Sequence, residues 1–249
     1  MSQTDQPNYS SRRPILERLR QARFTQLLIA LSLLLFAAPF VGVFQSSLGQ
    51  TLASLLILVL LAAVLISAGI AVAENQRQAR VISVLAILCV ALVLLATFVE
   101  SRELRLAQNI LTIGFLAQIV RLIVRRLFQP QRVDHHTISA SLCGYLLIGV
   151  AFAVVYTMVM DIDPDAIRIG SGDQSTTLGF GNQHTSMSLY FSYVTLTTLG
   201  YGDITPQSPV ARMLTTSEAL IGQLYLVVLV ARLVGLHIAG EMPQQPQGE

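Results

Sequence analysis

The strongest constraint on this chain is its recurrence of long apolar runs. A hydrocarbon core about 30 Å thick needs about 20 consecutive apolar residues of helix. The chain supplies such runs at 24–44, 52–73, 81–99, 106–127, 138–160 and 210–238. The second and third contain no charged residue, the first carries Pro39, and the fourth is interrupted by Gln108, Asn109, Gln118 and Arg121. Membrane helices tolerate a proline as a kink, so Pro39 does not break the first span. With 53% hydrophobic and 12% charged residues and a mean hydropathy of +0.62, the composition lies outside that of soluble domains. The expected fold is an all-α membrane protein with six transmembrane helices.

Charge sets the orientation. All sixteen basic residues are Arg and the formal net charge is +2, too small for a nucleic-acid surface. Basic residues collect on the cytoplasmic side of short-looped membrane proteins. Placing both termini in the cytoplasm puts Arg12, Arg13, Arg18, Arg20, Arg23, Arg77, Arg80, Arg125, Arg126 and Arg132 inside. Outside remain Arg102, Arg105, Arg168 and Arg212, beside acids such as Glu100, Asp161, Asp163, Asp165 and Asp203. The organisation that follows is a cytoplasmic segment 1–23, a four-helix transmembrane domain 24–128, a linker 129–137, a helix–loop–helix domain 138–240 and a cytoplasmic tail 241–249. Short loops lean towards a prokaryotic inner membrane. Cys89 and Cys143 sit within apolar runs, away from metal-ligand spacing, so neither a disulfide framework nor a zinc site is indicated.

Between the last two runs the chain turns polar and Gly-rich (161–183), then semi-apolar over 185–197, too short to span. Two strings nearly repeat here, Thr-Thr-Leu-Gly-Phe-Gly-Asn at 176–182 and Thr-Thr-Leu-Gly-Tyr-Gly-Asp at 197–203. Irregular backbone at membrane depth survives only where it is buried in protein or lines a water-filled path. In the second copy, Gly200 and Gly202 admit backbone angles closed to other residues, which lets successive carbonyls point the same way. Four such strings around an axis make rings of oxygens that replace a cation's water shell. The residues just before, 187–197, are expected to form a short re-entrant pore helix capped by Thr185 or Ser186, its C-terminal end presenting partial negative charge to the cation. The first copy follows a stretch too polar and Gly-rich for such a helix, and there is no room for a span between the copies; it reads as an extracellular turret loop.

The run Thr195-Leu196-Thr197-Thr198-Leu199-Gly200-Tyr201-Gly202-Asp203, with Pro206 three residues on, resembles the filter signature of the potassium-channel pore family, and the likeness extends over about 138–240. Leu199 departs from it, standing where the family usually has Val or Ile. The resemblance implies a homotetramer that passes K+ passively down its gradient, with no cofactor beyond the permeant ion. The carbonyls of Thr198, Leu199, Gly200 and Tyr201 and the Thr198 hydroxyl would be the K+ ligands, with Gly202 freeing the outer turn. Asp203 would brace the filter through a pore-helix partner, for which Tyr190 is the candidate, with Thr197 as a further support. Val194 occupies the position where some members carry a Glu coupled to this Asp, which puts that coupling in doubt. Gly222 matches a glycine at which the last helix bends to open an inner gate; close helix packing is the other reading. Leu226, Val230 and Val234 recur at helical spacing and either line the inner pore or face a neighbouring helix.

Four spans ahead of a pore raise the question of a voltage sensor, which needs several Arg at every third position through the fourth span. Here Arg102 and Arg105 are followed by no Arg until Arg121, Arg125 and Arg126, and the second and third spans hold no acid to receive a moving charge. Voltage gating is therefore disfavoured, and the stimulus is left to lipid, pH, or an unidentified regulatory ligand or subunit. Glu218 and Arg232 lie within the last span and must face protein or water, Glu218 as a holder of the pore helix and Arg232 reaching the cytoplasmic surface. Asp161, Asp163 and Asp165 open like a calcium loop but lack its Gly and terminal Glu, and read as an acidic rim. His135 and His136 read as linker, and 14–24 as a basic amphipathic segment at the inner lipid leaflet or as plain positive-inside flanking. A voltage-gated channel and a subunit of a coupled potassium transporter are the rivals. The spans contain no nucleophile-and-base pair, so an enzyme is not expected.

Overall fold

The computed structural model describes residues 13–37, 59–69, 76–99, 101–127, 135–170 and 182–241. The elements run α1 (Arg13–Ala37), α2 (Val59–Gly69), α3 (Gln76–Phe98), α4 (Arg102–Leu127), α5 (His135–Ile162), β1 (Ile167–Ile169), α6 (Asn182–Leu196), β2 (Ile204–Pro206) and α7 (Pro209–Glu241). Among the described residues, three stretches are long and apolar enough to cross a membrane, Arg102–Arg125, Ile138–Ile162 and Pro209–Arg232. Thr25–Ala37, Val59–Gly69 and Arg80–Ala96 are shorter apolar helices. Pro39 and the first Thr-Thr-Leu-Gly string, apart from Asn182, lie outside the described residues.

Helix starts follow local chemistry that hydropathy does not report. Ser101 accepts the Leu104 N–H at 3.2 Å and Glu103 lies in the first turn, so α4 begins at Arg102, before its apolar run. Ser208 accepts the Ala211 N–H at 3.1 Å ahead of Pro209, which opens α7 with no lost donor. Several expected boundaries move. Residues 13–23 belong to α1, and His135 and His136 start α5 rather than sitting in a linker. The helix expected over 187–197 begins at Asn182, so Thr185 and Ser186 lie inside it and neither caps it; Glu241 closes α7 rather than opening a tail.

The helices pack around α5, which touches α1, α4, α6 and α7. Leu27, Leu31 and Leu34 of α1, Ile82, Ala86 and Cys89 of α3, and Phe115, Ile119 and Ile123 of α4 recur every three or four residues and bury one stripe each. Together with Cys143, Leu147 and Val150 of α5 they form one continuous core, so the first four helices and α5 share packing. A second cluster caps one end, built from Tyr156, Val159, Ile167, Phe191 and Ala211, with Tyr156 and Phe191 edge-to-face at 4.9 Å.

The fold is not purely α. β1 and β2 form a two-stranded antiparallel sheet pairing Ile167 with Pro206, Arg168 with Thr205 and Ile169 with Ile204. The Gly170 N–H continues the ladder to the Asp203 carbonyl at 2.6 Å. Three-residue strands so far apart leave no periodicity to read, and their pairing depends on how α5 and α6 return the chain to the same end.

Candidate functional site

Helix α6 ends at Leu196, and the chain then leaves helical geometry in a specific way. Thr198, Gly200 and Gly202 have φ of 57°, 55° and 81°, while Leu199 and Tyr201 between them keep negative φ. For glycine the left-handed region is open; for β-branched Thr198 it is an outlier that costs about 1–3 kcal/mol and persists only where surrounding bonds impose it. Those bonds come from the last turn of α6. The Thr197 and Thr198 N–H groups donate to the carbonyls of Tyr193 (3.0 Å) and Thr195 (2.9 Å), and Leu199 and Gly200 both donate to Val194, at 2.9 and 3.3 Å. Thr197 Oγ1 adds a bond to the Tyr193 carbonyl at 2.6 Å, and Thr198 Oγ1 donates to the Thr197 carbonyl at 2.7 Å, leaving its lone pairs free to accept.

The string from Thr198 to Asp203 is exposed throughout, Leu199 at 54% and Tyr201 at 68%. A Cβ built on Gly200 or Gly202 would meet nothing within 4 Å. One side of this string therefore has no packing partner among the described residues.

Tyr190, the expected partner of Asp203, donates its phenolic proton to Asp203 Oδ2 at 2.6 Å. That bond, then partial burial and the nearby Asp203 charge, push the Tyr190 phenol up to about 12. The other Asp203 oxygen accepts the Ile204 N–H at 3.0 Å, so the carboxylate is held from two directions. Val194, where a Glu would couple to this Asp, contributes its backbone carbonyl instead.

The base of the string is locked to both long helices. Tyr145 of α5 donates to the Leu196 carbonyl at 3.1 Å. From α7, Gly222 comes so close that an added Cβ would lie 2.8 Å from both the Leu196 carbonyl oxygen and its Cδ1. The structure thus supplies a packing reason for the glycine expected to be a hinge. Below it, Leu226 is half-buried while Val230 and Val234 are exposed on the single chain.

Sequence reasoning placed Glu218 against the pore helix but missed its partners, Tyr156 at 2.5 Å and Ser192 at 2.5 Å, all three fully or almost fully buried. A single Glu in an apolar span was the available signal; Tyr and Ser are too common in membrane helices to point to it. The α4 arginines lie near the two ends of that helix: Arg102 donates to the Ile162 carbonyl at 3.2 Å, and Arg121 and Arg125 are exposed. Asp163 closes its own turn by accepting the Asp165 N–H at 3.2 Å, and Asp161 receives Asn109 at 3.4 Å.

Long helix, short helix, glycine-bearing string and long helix are the parts of an ion-channel protein of the membrane, and residues 145–237 match the family model described as "Ion channel". The chain belongs to the potassium-channel pore family. It is 30% identical over 122 residues to "Protein LctB" of Bacillus caldotenax, covering 48% of this chain and 86% of that protein. To "Protein LctB" of Geobacillus stearothermophilus it is 33% identical over 91 residues, 36% of this chain and 63% of that protein. To "Two pore potassium channel c" of Oryza sativa subsp. japonica it is 47% identical over 47 residues, 19% of this chain, spanning only 10% of the rice protein's length. No solved structure matches the chain.

Proposed function

We propose that four copies of this chain form a K+-selective channel whose filter is Thr198–Gly202, with K+ held by the carbonyls of Thr198, Leu199, Gly200 and Tyr201 and by the Thr198 hydroxyl. The observation that carries the reading is the alternation of left-handed φ at Thr198, Gly200 and Gly202 with ordinary φ at Leu199 and Tyr201. Such alternation turns successive carbonyls to one side of the strand instead of to opposite sides, producing a ladder of oxygens. A single ladder is a fraction of a coordination shell, and the strand's exposed, unpacked side supports closure by further copies around an axis.

On this reading the six apolar helices are six spans, α6 is re-entrant, both termini are cytoplasmic, and the C-terminal end of α6 presents its partial negative charge to an ion below the filter. Tyr190 and Thr197 hold the filter from behind, Val230 and Val234 line the inner pore with Leu226, and Gly222 is a contact point of the inner helix. Arginines gathered at the ends of α4 support a scaffold rather than a voltage sensor.

The test is K+ flux into liposomes holding the purified protein. Wild type passes K+ in preference to Na+, and Gly200→Ala, which forces a side chain onto a left-handed backbone and into the space between copies, passes none while still assembling. A folded tetramer without K+ flux overturns conduction; flux that survives Gly200→Ala overturns the filter assignment.

A further inference from the structure

Behind α6, three buried side chains from three helices converge: Tyr156 of α5, Ser192 of α6 and Glu218 of α7. Tyr156 Oη lies 2.5 Å from Glu218 Oε2, and Ser192 Oγ lies 2.5 Å from Glu218 Oε1. Ser192 Oγ is also 2.7 Å from the Gly149 carbonyl oxygen. Each of these three oxygen–oxygen contacts needs a proton. Tyr156 and Ser192 bring one apiece, and the carbonyl brings none.

With a carboxylate at Glu218 there are two protons for three contacts. Ser192 Oγ would then face either the carboxylate or the carbonyl across a bare oxygen pair, buried where no solvent can relieve it. With a carboxylic acid the network closes. Tyr156 donates to Oε2, the acid O–H on Oε1 donates to Ser192 Oγ, and Ser192 donates to the Gly149 carbonyl. The polar side chains facing Glu218 are themselves uncharged: Tyr145 and Tyr156 from α5, Ser192 and Tyr193 from α6. A buried charge without an opposite partner is strongly disfavoured.

We infer that Glu218 is held as a neutral acid and acts as a hydrogen-bond donor, a positioning residue that fixes the pore helix to α5 and α7 at once. Its role in holding the filter rests on the conduction reading; its donor state does not. Gln at 218 reproduces both bonds, with its amide N–H towards Ser192 and its carbonyl towards Tyr156, whereas Leu reproduces neither.

The experiment is infrared spectroscopy of the reconstituted protein at about pH 8, where ordinary carboxyls are ionised, paired with liposome K+ flux. The wild type minus Glu218→Gln difference shows the C=O stretch of a protonated carboxylic acid, Glu218→Gln keeps wild-type flux, and Glu218→Leu loses it. A difference containing only carboxylate bands overturns the inference, as does loss of flux in an assembled Glu218→Gln. Should that variant fail to assemble, wild type carrying 13C-glutamate decides: an isotope-sensitive acid band supports the inference and its absence overturns it. An acid band in a protein that passes no K+ supports the donor state and counts against conduction alone.

Discussion

Replacing Gly222 by Ala separates two readings of that position by the sign of the effect. If the glycine serves only to let α7 bend, Ala supplies a better helix former and stabilises the fold by about 1 kcal/mol. The structure argues otherwise. The new methyl would sit 2.8 Å from the Leu196 carbonyl oxygen and 2.8 Å from Leu196 Cδ1, with Cγ at 3.3 Å. Rotating the Leu196 side chain relieves the carbon contacts but not the one to its backbone oxygen. That oxygen ends the pore helix and already accepts Tyr145. Either α7 or the base of the filter must therefore move by about half an ångström, and such overpacking costs about 1–3 kcal/mol. The gain and the cost together leave Gly222→Ala destabilised by up to about 2 kcal/mol, a fall of a few degrees in the melting temperature of the detergent-solubilised protein. Because the displaced atom adjoins Thr197 and Thr198, K+ over Na+ selectivity falls with it. A variant that melts higher than wild type with unchanged selectivity would refute the packing argument and return the position to a hinge.

Three further outcomes are expected. Tyr190→Phe removes the donor to Asp203 and shortens the lifetime of conducting openings in single-channel recordings. The raised phenol makes its stabilising contribution complete below its ordinary value of about 10 and lost as pH climbs through about 12; melting temperatures of wild type and Tyr190→Phe should differ by a constant amount below pH about 10 and converge above it. Gly149→Ala drives a Cβ to 2.6 Å from the Tyr193 ring and lowers the melting temperature, whereas Gly114→Ala, with nothing among the described residues within 4 Å, leaves it unchanged or raises it. Open probability in planar bilayers stays flat with voltage, since the central turns of α4 carry no Arg; a steep sigmoid would show that charges at its ends do cross the field.

What the sequence disclosed and what it withheld divide along the range of the interactions. Apolar runs locate helices because the bilayer demands length and composition, both local properties. The Gly200 and Gly202 string was legible because its backbone angles exclude nearly every other residue. Tyr190 could be matched to Asp203 because both belong to one compact helix–loop unit. Helix starts were displaced because a cap such as Ser101 or Ser208 is a single polar residue among many. The β1–β2 sheet and the meeting of Tyr156 with Ser192 and Glu218 were hidden, since each depends on where separate helices cross. Gly222 was ambiguous for the same reason: a glycine in a helix has a cause, but only its neighbour identifies it.

The sheet that joins Ile167–Ile169 to Ile204–Pro206 also closes the chain into a ring, with Gly170 bonded to the Asp203 carbonyl and α6 and the proposed filter inside the circuit. Because the bonds that close the ring join 167–170 directly to 203–206, the outer end of the proposed filter is anchored independently of the length of the intervening segment 171–181. That segment is accordingly the place where an epitope, a fluorophore or a binding module can be inserted without re-registering the oxygens a few residues away.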